Sequence, residues 1–99
     1  MDVTLLYVDG CPNWAETDAH LRMLADEFPD MVIIRVVVTS PEDAERLRFR
    51  GSPSVLIDGI DPFSDSDAPV GLSCRVYSTP HGLVGSPTLG QLREALTGR

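Results

Sequence analysis

The first place where this chain could do chemistry is Cys11, in the run Asp9-Gly10-Cys11-Pro12-Asn13-Trp14 that follows an apolar segment. Asp9-Gly10 reads as a turn. Pro12 is favoured in the first turn of a helix, where its missing N–H is not needed. Cys11 is therefore expected at a helix start, facing unpaired backbone N–H groups and the positive end of the helix dipole. Both favour the thiolate, which is the nucleophilic and metal-binding form of cysteine. Asp9 either opposes that ionisation by its charge, shuttles a proton, or is an exposed turn residue. Trp14 either joins the core or shields the sulfur and contacts a substrate.

The second sulfur, Cys74, opens the run Cys74-Arg75-Val76-Tyr77-Ser78. A lone cysteine in a strand is commonly a core residue. Two cysteines alone make no closed structural zinc site. His20 and His81 stand at no recognisable ligand spacing and read as surface residues. No resident cofactor or metal is expected. Two thiolates brought together would nonetheless suit a soft, linear-coordinating ion.

Positioning these groups falls to a short series of elements. Val3 to Val8 is an apolar run of strand formers, with the length of a strand buried on both faces. Trp14, Leu21, Leu24, Ala25 and Phe28 recur at helical spacing and predict a helix from about Pro12 to Phe28. Met31 to Val38 is a β-branched run suited to a central strand. Ser40-Pro41-Glu42-Asp43 opens a second helix with a cap, a first-turn proline and a returning acid, and Gly51 stops it. Ser54 to Asp58 is a third strand. Ile60 to Ser73 reads as a loop, long for so small a domain, and such loops are often functional. Cys74 to Ser78 is a fourth strand, and Thr88-Leu89-Gly90-Gln91 caps a last helix. The order β-α-β-α-β-β-α predicts one α/β domain over residues 1–99. Its first three strands are expected to pair in parallel through crossovers, with the fourth antiparallel to the third in a mixed four-stranded sheet.

The chain has 99 residues and a formal net charge of −7, from 15 acidic against 8 basic residues. A surface of that sign repels phosphate backbones and anionic bilayers, so neither nucleic acid nor membrane is expected as a partner. Asp58, Asp61, Asp65 and Asp67 crowd one segment, expected as a solvated acidic loop. No stretch has the apolar length of a membrane span, and the first residues lead straight into a strand pattern with no secretory signal. The expectation is a cytoplasmic protein. In that compartment a cysteine pair is more often a set of thiols, ligands or redox partners than a structural staple.

The element order, with a cysteine at the first strand-to-helix turn, resembles the thioredoxin family over nearly the whole chain. Cys11-Pro12-Asn13-Trp14 occupies the place of that family's redox motif, with Trp14 where its second cysteine stands. Ser52-Pro53 precedes the third strand, where the family carries a cis-proline facing the active cysteine. The resemblance implies that Ser52 presents backbone atoms to a partner peptide or thiol beside Cys11. The chain is also similar, more weakly, to the catalytic core of organomercurial (alkylmercury) lyases, whose two essential cysteines are about as far apart in sequence. Their second cysteine likewise introduces a strand with an aromatic residue, here Tyr77. The lyase aspartate three residues after the first cysteine is replaced by Trp14, so that proton donor does not carry over. The lyases' separate N-terminal domain has no counterpart here.

The two resemblances differ on Cys74. An antiparallel fourth strand starts where the third ends, which sets Cys74 away from Cys11 unless the loop folds back. The lyase resemblance sets the two together. Three functions follow as expectations. In the first, Cys11 attacks a disulfide and Cys74 or an outside thiol resolves it, with Pro12, Trp14, Ser52 and Pro53 lining the site and a protein or low-molecular-weight thiol or disulfide as partner. In the second, Cys11 and Cys74 hold a soft metal or an organomercurial. The third is a non-catalytic binding module.

Overall fold

The structure, a computed structural model, describes residues 1–63 and 70–98. Asp65 and Asp67 lie outside the described residues. A three-stranded sheet runs in the order β2-β1-β3, from β1 (Asp2–Tyr7), β2 (Val32–Val37) and β3 (Ser54–Ile57). A separate two-stranded sheet pairs β4 (Tyr77–Thr79) with β5 (Gly82–Val84). Three helices complete the described residues: α1 (Trp14–Ala25), α2 (Pro41–Leu47) and α3 (Leu89–Thr97).

Alternation along the central strand divides the core in two, since successive side chains point to opposite faces. Val3 and Leu5 meet Leu21 and Leu24 of α1, Val55 of β3, and Leu92 and Leu96 of α3. Leu6 points the other way, to Val38, Ala44 of α2 and Phe49. Each fully buried leucine of these clusters is worth roughly 1.5–3 kcal/mol of transfer free energy. The termini of the elements follow local chemistry. Ser40 caps α2 by accepting the Asp43 N–H at 3.1 Å, and Pro41 fills its first turn. Thr88 and Gln91 close a reciprocal capping box on α3.

Several expectations about topology are corrected. β1 and β2 are parallel, but β3 runs antiparallel to β1, with Leu6 opposite Ser54 and Val3 opposite Ile57. A parallel third strand would need a crossover that carries the chain back along the full sheet. The seven residues of α2 advance only about 10 Å at 1.5 Å per residue. The chain therefore enters β3 from the end where it left β2. The fourth strand joins β5, not β3, so among the described residues the main sheet has three strands and not four. The long apolar run of β2 lies at an edge, with Val32, Ile34 and Val37 exposed, and β1 is central. α2 ends at Leu47 with Arg48 in the left-handed conformation (φ 52°), ahead of Gly51. No helix among the described residues is long and apolar enough to cross a membrane.

Candidate functional site

The antiparallel course of β3 decides the site. It places the start of β3, and with it Ser52 and Pro53, beside the end of β1 from which the chain turns toward Cys11. The Cys11 N–H closes that turn on the Val8 carbonyl at 3.0 Å. Helix α1 begins at Trp14, not Pro12, with Asn13 as its cap residue. Cys11 thus precedes the helix proper, yet the Asn13 and Trp14 N–H groups still reach its sulfur. The Asn13 side chain fits against Gly85, where a methyl group would come within 2.2 Å of its Nδ2. Ser86 donates to Glu16 at 3.2 Å, so the 85–86 segment holds both this turn and the start of α1.

Cys11 is 6% exposed, and Ser52, fully buried, is its principal neighbour. The Ser52–Pro53 peptide is cis. The Cys11 thiol donates to the Ser52 carbonyl at 3.6 Å, and the Ser52 hydroxyl accepts the Val8 N–H at 3.1 Å. Burial pushes the Cys11 thiol up. Hydrogen bonds from the Ser52 hydroxyl, the Asn13 N–H, the Cys74 thiol and the Trp14 N–H outweigh it together, leaving the thiol below its ordinary range. This is the direction that makes a nucleophile or a ligand.

The second sulfur is close. Cys74 Sγ lies 4.0 Å from Cys11 Sγ and donates toward it. The return of the chain comes from a single parallel bridge: the Ser52 N–H donates to the Ser73 carbonyl at 2.8 Å, and the Ser52 carbonyl accepts the Arg75 N–H at 3.0 Å. Cys74 therefore sits next to the start of β3 and not beyond its end. It is exposed. Its hydrogen bond to the Cys11 sulfur, then the charge of that sulfur, hold its thiol above the ordinary range. The two shifts run in opposite directions, which makes Cys11 the more acidic thiol of the pair.

Residues around this bridge carry roles that sequence reading missed. Arg75 is buried, donating to Asp61 Oδ2 at 2.6 Å, to the Ser54 hydroxyl at 3.1 Å and to the Phe63 carbonyl at 2.5 Å. Its guanidinium lies 4.8 Å from the Tyr77 ring centre. Asp61 is thus an anchor, not part of a solvated loop, and Asp58 accepts the Asp2 N–H at 2.8 Å. Tyr77 donates its hydroxyl to the Pro53 carbonyl at 2.5 Å, and burial pushes its phenol up. The signal was the period of two in Cys74-Arg75-Val76-Tyr77, which sends Arg75 and Tyr77 inward and Cys74 and Val76 outward. A buried arginine then calls for a nearby carboxylate.

Of the remaining candidates, Pro12 is exposed beside Cys11 and Pro53 is buried. Trp14 is half-buried and stacks on Tyr7 with ring centres 4.3 Å apart, against the larger core cluster. Asp9 and His81 are exposed. His20 is half-buried, with its Nδ1 enclosed and unpaired among the described residues. The same residues hold no cluster of three or more histidine, cysteine or acidic side chains fit for a metal. What the site can do chemically rests on two adjacent sulfurs of unequal acidity. Comparison with protein-family models, curated proteins and solved structures finds no match for this chain.

Proposed function

We propose that the protein is a thiol–disulfide exchange protein with a thioredoxin-like fold, using Cys11 and Cys74 as its redox pair. The observation that carries this reading is the 4.0 Å separation of the two sulfurs, one buried and one exposed. A bond needs the sulfurs to approach to about 2.05 Å. The asymmetry of the pair supports it too, since exchange needs one stabilised thiolate and one thiol that can be expelled or attacked. The fold assignment is supported by the parallel β1–β2 unit, the antiparallel β3 and the cis bond before it. A cytoplasmic setting, where the resting form is the dithiol, fits this chemistry.

The test is oxidation of the full chain by a small disulfide in dilute solution. The expected product is a monomer two hydrogens lighter, with both thiols consumed and Cys11 and Cys74 joined in one peptide pair after digestion. Retention of both thiols, or only cross-linked dimers, overturns the reading.

A second reading is favoured by the same distance. Two metal–sulfur bonds of about 2.3 Å span about 4.6 Å when collinear, so sulfurs 4.0 Å apart fit a bent chelate and need little movement for a linear one. A soft thiophilic ion or an organomercurial would be cargo or substrate here. Retention of mercuric ion against a competing small thiol tests it. Cys74→Ser abolishes retention on this reading and leaves it unchanged if the reading is wrong.

A further inference from the structure

An exchange protein that accepts polypeptide disulfides must offer an extended chain a place beside its nucleophile. Here the backbone that lies against the Cys11 sulfur is that of Ser52, and both of its polar groups are in use. The N–H is taken by the Ser73 carbonyl and the carbonyl by the Arg75 N–H. The residue between those two bonds is Cys74. The chain's own segment therefore lies where a partner strand would lie, with its own cysteine facing Cys11.

That segment is firmly placed. Arg75 is fixed by Asp61, Ser54 and Phe63. Gly51 passes so near that a methyl group there would stand 2.9 Å from the Arg75 Cβ. Displacing residues 73–75 would strand a buried guanidinium and two buried backbone groups of Ser52, which is strongly unfavourable. Access to the sulfurs is unequal as well, with Cys11 almost enclosed and Cys74 open to solvent.

We infer, resting on the exchange reading above, that the partner is a low-molecular-weight thiol or disulfide, not an extended polypeptide, and that it exchanges at the sulfur of Cys74. In the reducing direction a small thiolate RS⁻ attacks Cys74 Sγ of the closed pair. The Cys74–Cys11 bond breaks, its electron pair leaves with Cys11 as thiolate, and Cys74 carries the mixed disulfide. A second RS⁻ attacks the R sulfur, which releases RSSR and the Cys74 thiolate, and that thiolate takes up a proton. The protein gains two electrons and two RSH are oxidised to RSSR. The reverse sequence reduces RSSR to two RSH, with Cys11 expelling RS⁻ from Cys74. Cys11 suits the leaving role because the Ser52 hydroxyl and the Asn13 and Trp14 N–H groups receive its charge.

The experiment uses the full reduced chain and two probes with the same leaving thiol: glutathione disulfide, and a linear peptide whose central cysteine is joined to glutathione. The small probe is expected to react at least about tenfold faster, because access limits thiol exchange. Cys11→Ser should trap glutathione on Cys74, and Cys74→Ser should gain it on Cys11 about tenfold more slowly or not at all. Cys11→Ala and Cys74→Ala, checked for native circular dichroism, repeat the assignment without a replacement hydroxyl. Equal or faster reaction of the peptide, or first labelling of Cys11, overturns the inference and leaves the exchange function standing. Reaction of both probes no faster than with free glutathione overturns the exchange reading itself.

Discussion

The backbone of Gly51 passes Arg75 so closely that no side chain fits between them: an added Cβ would meet the Arg75 Cβ at 2.9 Å and its backbone N at 3.1 Å. Gly51 also has φ +116°, a region that L side chains avoid. Space and torsion coincide at the point where the Cys74 segment docks. Gly51→Ala is expected to cost about 1–3 kcal/mol in denaturant unfolding. It should also slow closure of the Cys11–Cys74 disulfide, as followed by mass shift. A variant with unchanged stability and closure rate would show that the close approach is not needed.

Ser52→Ala removes the hydroxyl that accepts the Val8 N–H and supports the Cys11 sulfur. Leaving that N–H without its acceptor is expected to cost about 1–3 kcal/mol. The pH at which Cys11 is alkylated by iodoacetamide should rise in the same variant. Ser52→Thr, which keeps a hydroxyl, restores the alkylation profile if it folds.

Asp61→Asn takes the charge from the partner of a buried arginine, with side-chain exposures of 7% for Arg75 and 15% for Asp61. The loss is expected at about 3–5 kcal/mol, because the guanidinium stays behind uncompensated. Replacing both residues, with Asp61→Leu and Arg75→Met, should recover much of it. Equilibrium unfolding of the single and double variants decides the matter.

The two thiols are shifted in opposite directions, which fixes the sign of their pH dependence. Cys11 is lowered in the fold, so its contribution appears as pH rises through the depressed value and is complete above the ordinary thiol range. Cys74 is raised, so its contribution is present below the ordinary range and is lost as pH rises through the elevated value. Together they give a maximum of stability near the ordinary thiol pKa. Cys11→Ser should flatten that maximum, since the shift of Cys74 comes from Cys11. Thermal unfolding across the alkaline range measures it, and an unchanged profile in the variant excludes the coupling between the two thiols.

Residues with strong local preferences were readable without coordinates. The strand formers of Val3 to Tyr7, the capped starts at Ser40 and Thr88, and the turn at Asp9-Gly10 all act within a few positions of themselves. What escaped was decided over longer distances. The direction of β3 depends on how far seven residues of α2 can carry the chain, and the apolar run of β2 does not reveal whether a neighbour stands on its far side. The meeting of Cys11 with Cys74 hangs on Arg75 and Asp61, whose types were visible but whose pairing was not. Asp61 looked like one more member of an acidic segment because charge composition does not distinguish a solvated carboxylate from an enclosed one.

The stacking of Trp14 on Tyr7 has a practical consequence. The chain holds one tryptophan; its ring lies 4.3 Å from Tyr7, and the backbone N–H of the same residue favours the thiolate of Cys11. Sulfur in its ionised, thiol or bonded form quenches a neighbouring indole to different extents. A change of emission intensity when Cys11 is alkylated would report on that sulfur without a label.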